Sequence, residues 1–154
     1  MSAARVFDVD NTLAKVLCNL GGEISAKLIE QAEAEVAKLH APILDYVREE
    51  VAAILIYVDV GEDVLFGDCE RIGRHALNVA EVAGAAGLTG LGEVAGGINA
   101  LIENLRSAGL WHTEALRLHL RAMTLLSQDT IDAAGERLVL ERLRTMRRAI
   151  GVQE

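Results

Sequence analysis

Two groups of side chains have types and spacing that could support chemistry. Near the start of the chain, Asp8 and Asp10 place two carboxylates just ahead of Thr12. Further on, His75 follows Arg71 and Arg74, with Asn78 one helical turn after it. An imidazole in that company can act as a nucleophile, and neighbouring guanidinium groups would neutralise a phosphate. The other histidines, His40, His112 and His119, have no comparable neighbours in the sequence. No two histidines stand at i, i+4, and no carboxylates gather beside one in a zinc-ligand pattern, so neither metal nor cofactor is expected. Cys18 and Cys69 are too few and too scattered for a disulfide framework and fit a reducing compartment.

The elements that must position these groups read as helices. The chain has 154 residues, enough for one domain with its own core. Aromatic residues make up 3%, so that core must be aliphatic and alanine-rich. Strand-forming runs are scarce and Pro42 is the single proline. Residues 1–22 read as an N-terminal arm or as a short helix at Asn11–Leu17 closed by Gly21 and Gly22. Ser25 is placed to cap a helix whose stripe is Ile24, Leu28, Ala32, Val36 and Leu39. Pro42 suits the first turn of a new helix carrying Ile43, Val47, Val51, Ile54 and Val58. Gly61-Glu62-Asp63 breaks it. A third helix is expected over 63–87 and a fourth from Thr89 to Ala108, ended by Gly109. Thr113 is expected to cap a fifth, facing Leu116, Leu120, Met123 and Leu126 inward. A sixth would start at Asp129 or Thr130 and turn Ile131, Ala134, Leu138 and Met146 to the core. Its Arg142, Arg144, Arg147 and Arg148 match a solvated, dipole-favoured helix end.

The third helix is the informative one. At 100° per residue, Leu65, Cys69, Ile72, Ala76, Val79 and Ala83 gather within about 40° of one direction, the expected core side. One flank carries Gly73, Ala80, Gly84 and Gly87, all small. His75 lies on the other flank, about 140° from Ala80. Arg71, Arg74, Asn78 and Glu81 point to solvent. A small flank means that something approaches the backbone closely, either a neighbouring helix or a partner protein.

The segment from Ala80 to Leu91 resembles the active-site helix of histidine phosphotransfer (HPt) domains, which are four-helix bundles. Gly84, Gly87 and Gly90 match that family's glycines when its motif histidine is laid on Ala80. The stretches Glu103-Asn104-Leu105 and Leu116–Met123, with Asn11–Lys15, are similar to CheE-type alphaproteobacterial chemotaxis proteins. The resemblance implies an all-α, up-down helical bundle with an HPt-like four-helix core over 23–127, plus extra N- and C-terminal helices, the latter at 128–154. It implies a response-regulator receiver domain or a histidine kinase as partner, met across Leu77, Ala80, Glu81, Gly84 and Gly87. Alanine cannot be phosphorylated, and Ala83 stands where a Lys or Arg would serve, so a non-catalytic interaction module is expected. The alternative within the same family is active phosphotransfer through His75.

Val6-Phe7-Asp8-Val9-Asp10-Asn11-Thr12 resembles the first motif of haloacid-dehalogenase-type phosphatases. There, the first aspartate is the nucleophile and the second the acid/base. That chemistry needs a parallel sheet and a late acidic pair holding magnesium, and no later strands are expected here. A structural homodimer across the small flank is a further alternative. The formal charge of −8 argues against nucleic acid as a partner. No segment is apolar for long enough to span a membrane, and a cytoplasmic protein is expected.

Overall fold

A computed structural model describes residues 26–128 and 130–152, and side chains at 30, 33–35 and 37 onward. The expectations for Asp8, Asp10, the helix at Asn11–Leu17, Cys18, the Ser25 cap and Asp129 lie outside the described residues. So do those for the side chains of Ile24, Leu28, Ala32 and Val36. The chain divides into two compact units, Met1–Leu39 and His40–Glu154. In the described part of the first, Glu33, Glu35, Lys38 and Leu39 are exposed, and Lys38 pairs with Glu35 at 2.6 Å. The second unit is an all-α helical bundle, and among the described residues there is no strand.

The first helix, α1, runs Ala26–Leu55 with Pro42 inside it. Two helices meeting at Pro42 were expected, and the structure corrects this. A proline lacks the N–H that would meet the carbonyl four residues back. Here Lys38, His40, Ala41 and Pro42 are all exposed, so water can satisfy that carbonyl. Val47, Val51 and Ile54 then bury one stripe of α1 in the core.

The expected third helix is likewise divided. α2 is Glu62–Gly67, α3 is Cys69–Val82, and a 3-10 turn follows at Ala83–Ala86. Asp68 leaves helical geometry (φ −100°, ψ 10°) and serves as the junction between α2 and α3. Gly87 closes the segment at φ 77°, a left-handed conformation that glycine adopts without a Cβ penalty. The core side of this stretch is as expected: Leu65, Ile72, Ala76, Val79 and Ala83 are buried, while Cys69 is half-buried.

α4 spans Thr89–Ala108 and supplies the most core, burying Leu91, Val94, Ile98, Leu101 and Ile102 among others. It ends at Gly109, φ 69°, whose N–H bonds back to the Leu105 carbonyl. α3 packs chiefly on α4, and α4 also carries α5 (Thr113–Ser127) and α6 (Ala133–Ala149). Small residues make the close approach of α4 to the 3-10 turn possible: a Cβ on Gly92 would stand 3.3 Å from the Ala83 methyl.

Helix starts differ from expectation where side chains had other uses. α5 is preceded by His112, and Thr113, the expected cap, instead donates its hydroxyl to Glu62 at 2.6 Å. α6 is capped by Asp132, whose carboxylate accepts from the Gly135 N–H at 2.8 Å. The inward face of α6 is Leu140, Leu143 and Arg147. Ala134 and Leu138 are exposed, and Ile131 and Met146 only half-buried.

Candidate functional site

α3 presents different chemistry on its two flanks. On the outer side, Leu77 and Glu81 of α3 are exposed, as are Gly84 in the 3-10 turn after it and Gly87 at its end, and Ala80 is half-buried. No atom lies within 4 Å of the place a Cβ would take on Gly84. The small residues do not form one continuous face. Gly73 is buried, with a Cβ there only 3.2 Å from Ile102 Cδ1, so its end of the flank serves helix packing. Gly90 is turned inward, and the Glu136 side chain occupies the space beside its Cα. Of the three glycines three residues apart, Gly84 and Gly87 are open and Gly90 is not.

On the opposite flank, His75 and Asn78 meet α1. The His75 Nδ1 lies 2.7 Å from Glu50 Oε2, and the Asn78 amide donates to the same oxygen at 3.1 Å. The side chains of His75 and Glu50 retain 20% and 14% of their exposure. His75 was expected on a flank and Asn78 in solvent; together they form a half-buried polar contact with α1. Glu50, one turn after Tyr46 on α1, was not singled out in the sequence. Its signal was a carboxylate directly beside the buried stripe position Val51. Burial and the Glu50 carboxylate hold the Tyr46 hydroxyl above its ordinary range. Further along the same seam, burial and Asp68 raise Tyr57, while Arg71 opposes them.

Between α3 and α4 runs an open groove of about 530 Å³, lined by Arg71, Arg74, Leu77, Asn99, Glu103 and Arg106 among others. Arg106 is engaged by Glu70 from α3 and by Glu103 from its own helix. Its hydrogen bond holds the Glu70 carboxyl below the usual carboxylate range. The groove therefore balances its charges, which does not favour a strongly anionic ligand there.

The buried polar centre of the molecule lies elsewhere. His119, fully buried on α5, donates from Nδ1 to the Ala115 carbonyl at 2.8 Å, and its Nε2 faces Arg147 Nη1 at 3.0 Å. Arg147 is itself 5% exposed, where a solvated helix end was expected. Arg144 pairs bidentately with Glu93 of α4 while its side chain stays 43% exposed. His119 was passed over in the sequence because its partner stands 28 positions away. Burial pushes its imidazole down to about 4, with Arg147 adding in the same direction and the Ala115 carbonyl opposing. It is a neutral acceptor for Arg147, a packing role with no route to substrate.

Among the described residues, no group of three or more His, Cys, Asp or Glu side chains is placed to hold a metal ion. No described helix is long and apolar enough to cross a membrane. Compared with protein-family models, curated proteins and solved structures, the chain finds no match.

Proposed function

We propose that this protein is a non-catalytic interaction module of cytoplasmic two-component or chemotaxis signalling. Its partner would be a response-regulator receiver domain or a histidine kinase, lying across the outer strip of α3. The observation that carries this reading is the strip itself. Leu77 offers 42% of its surface to solvent, Glu81 and Gly84 follow at turn spacing, and the space over Gly84 is empty. An apolar anchor, a charge and an unobstructed backbone are what a helix needs to seat a protein partner. At the centre of the strip stands Ala80, whose methyl group has no nucleophile to offer. The bound partner would be sequestered or scaffolded, with no phosphate passed through the strip.

The test is binding of receiver domains from the parent cell, with the Gly84→Arg variant as probe. The added side chain would extend into open space, so folding is expected to be unchanged. Receiver binding should fall by more than tenfold, as for an obstructed interface core (about 1.4 kcal/mol per tenfold). Unaltered binding in a folded Gly84→Arg protein would overturn the proposed face. If instead the native chain is a dimer by solution mass and Gly84→Arg makes it a monomer, the strip is a seam between copies.

A further inference from the structure

We propose that the bundle carries a binding groove for a free, single-chain amphiphile with an anionic head, of the medium-chain fatty-acid class. The groove lies among α1, the start of α4 and the end of α5, wholly within the His40–Glu154 unit. It shares no residue with the outer strip of α3, so the two functions stand or fall separately.

Shape and lining set the class of occupant. The space measures about 450 Å³, within the range of small-molecule sites between the helices of a bundle. Buried Val47, Val51 and Leu91 form its floor, and half-buried Leu55, Leu88 and Leu126 its walls. Three leucines converging on one concavity differ from apolar residues scattered singly over a surface, because one alkyl chain can cover them all. The wall at Leu88 is preformed. Its N–H bonds to the Ala83 carbonyl at 2.9 Å, beside the left-handed Gly87.

The head group follows from the polar lining, which is Arg48 and Ser127. Ser127 spends its hydroxyl proton on the Thr124 carbonyl at 2.9 Å. Arg48 is the one charged side chain that lines the groove, so charge complementarity selects an anion. Arg48 meets Asp45 at 3.0 Å, with both side chains 71% exposed. Water screens such a pair, and a guanidinium has donors for a second carboxylate. A free ligand fits better than a lipid bilayer, since the formal charge of −8 repels an anionic membrane surface.

The experiment is isothermal titration of the full chain with octanoate, decanoate and dodecanoate below their micellar concentrations, with methyl NMR to locate the site. One equivalent should bind and shift the methyls of Leu55, Leu88 and Leu126. Each added methylene should tighten binding about fourfold, the worth of its removal from water. Ala52 is exposed at the same groove, and Ala52→Phe should weaken decanoate at least about tenfold by filling it. Arg48→Gln should weaken decanoate about threefold, as for a solvent-exposed ion pair, and leave decanol unchanged. Absence of saturable binding, shifts away from the three leucines, or undiminished affinity in folded Ala52→Phe would each overturn the proposal. So would equal losses of decanoate and decanol on Arg48→Gln, or no loss of either. If the native chain is a dimer by solution mass and Ala52→Phe makes it a monomer, the groove is a seam between copies and the ligand reading falls. Sedimentation with dioleoylphosphatidylglycerol vesicles would also overturn it, in favour of a membrane surface. If Ala52→Phe does not fold, the chain-length series and the methyl shifts of the native chain decide alone. Receiver binding enters none of these readouts.

Discussion

His119 Nε2 and Arg147 Nη1 lie 3.0 Å apart inside the bundle, directly beside the Cα of Gly97. The contact ties α5 to α6 through a neutral imidazole acting as acceptor, and it can hold only while that ring stays unprotonated.

Acid should therefore weaken the fold through His119. In the folded chain its pKa lies at about 4, whereas an unfolded histidine titrates near 6.5. The unfolded chain takes up the proton first. The stabilisation is complete above about pH 6.5, declines as pH falls towards 4, and is exhausted below that, amounting to roughly 3 kcal/mol. Urea unfolding at intervals between pH 7 and 4 measures it. The His119→Gln variant should show a shallower decline across that window, and an equal decline would refute the assignment.

Two adjacent glycines should respond to alanine with opposite sign. A Cβ on Gly97 would stand 2.5 Å from His119 Nε2 and 2.6 Å from Arg147 Nη1, and both groups are pinned by burial. Gly97→Ala should cost about 1–3 kcal/mol through overpacking. Gly96, one position earlier, has nothing within 4 Å of its Cβ direction. Gly96→Ala should stabilise α4 by about 0.5–1 kcal/mol through helix propensity alone. Thermal melting of the pair checks both, and equal shifts would show that the close contact at Gly97 does not matter.

Removal of the α6 cap gives a third expectation. Asp132→Ala leaves the Gly135 N–H without its carboxylate partner and should cost about 1 kcal/mol. Because Leu140 and Leu143 anchor α6 further along, the helix should fray at its start rather than detach. Hydrogen exchange at residues 133–136 should accelerate while exchange beyond Leu140 stays protected. Acceleration along the whole helix would contradict this.

Ile98, fully buried at the middle of α4, is the fourth case. Ile98→Ala should destabilise by about 2–5 kcal/mol, the range for cavities in a packed core. Leu138→Ala, at a residue 55% exposed, should change stability by no more than about 0.5 kcal/mol. Denaturant titration of the two separates them. The comparison bears on α6 as well, because sequence spacing had turned Leu138 inward.

The sequence was most readable where one signal acted alone. The span Thr89–Ala108 was legible to both ends, because a single apolar stripe fills α4 and Gly109 stops it. The core side of α3 was legible for the same reason. Pro42 was misread because a proline's preference for a helix start competes with tolerance where the freed carbonyl is hydrated. The division at Asp68 was missed because the 3.6-residue periodicity of Leu65 and Ile72 survives a one-residue irregularity. In α6 the inward face was misplaced because Leu138 stands on the wet side and Arg147 on the buried one, so polarity pointed the wrong way. The candidate site was legible only in part. The open strip at Leu77 and Gly84 follows from helical angles, but the partners of His75 and His119 stand 25 and 28 positions away, and no local pattern announces them.

The bond between Glu50 and His75 bears on how the chain chooses its pairing. The stripe Val47, Val51, Ile54 on α1 and Ile72, Ala76, Val79 on α3 is aliphatic, and such surfaces slide past one another at little cost. Moving α1 by one turn would bring Tyr46 or Ile54 opposite the imidazole and part Glu50 from both His75 and Asn78. One polar contact between two largely aliphatic faces thus works as a key, favouring the setting in which Glu50 meets His75 and Asn78.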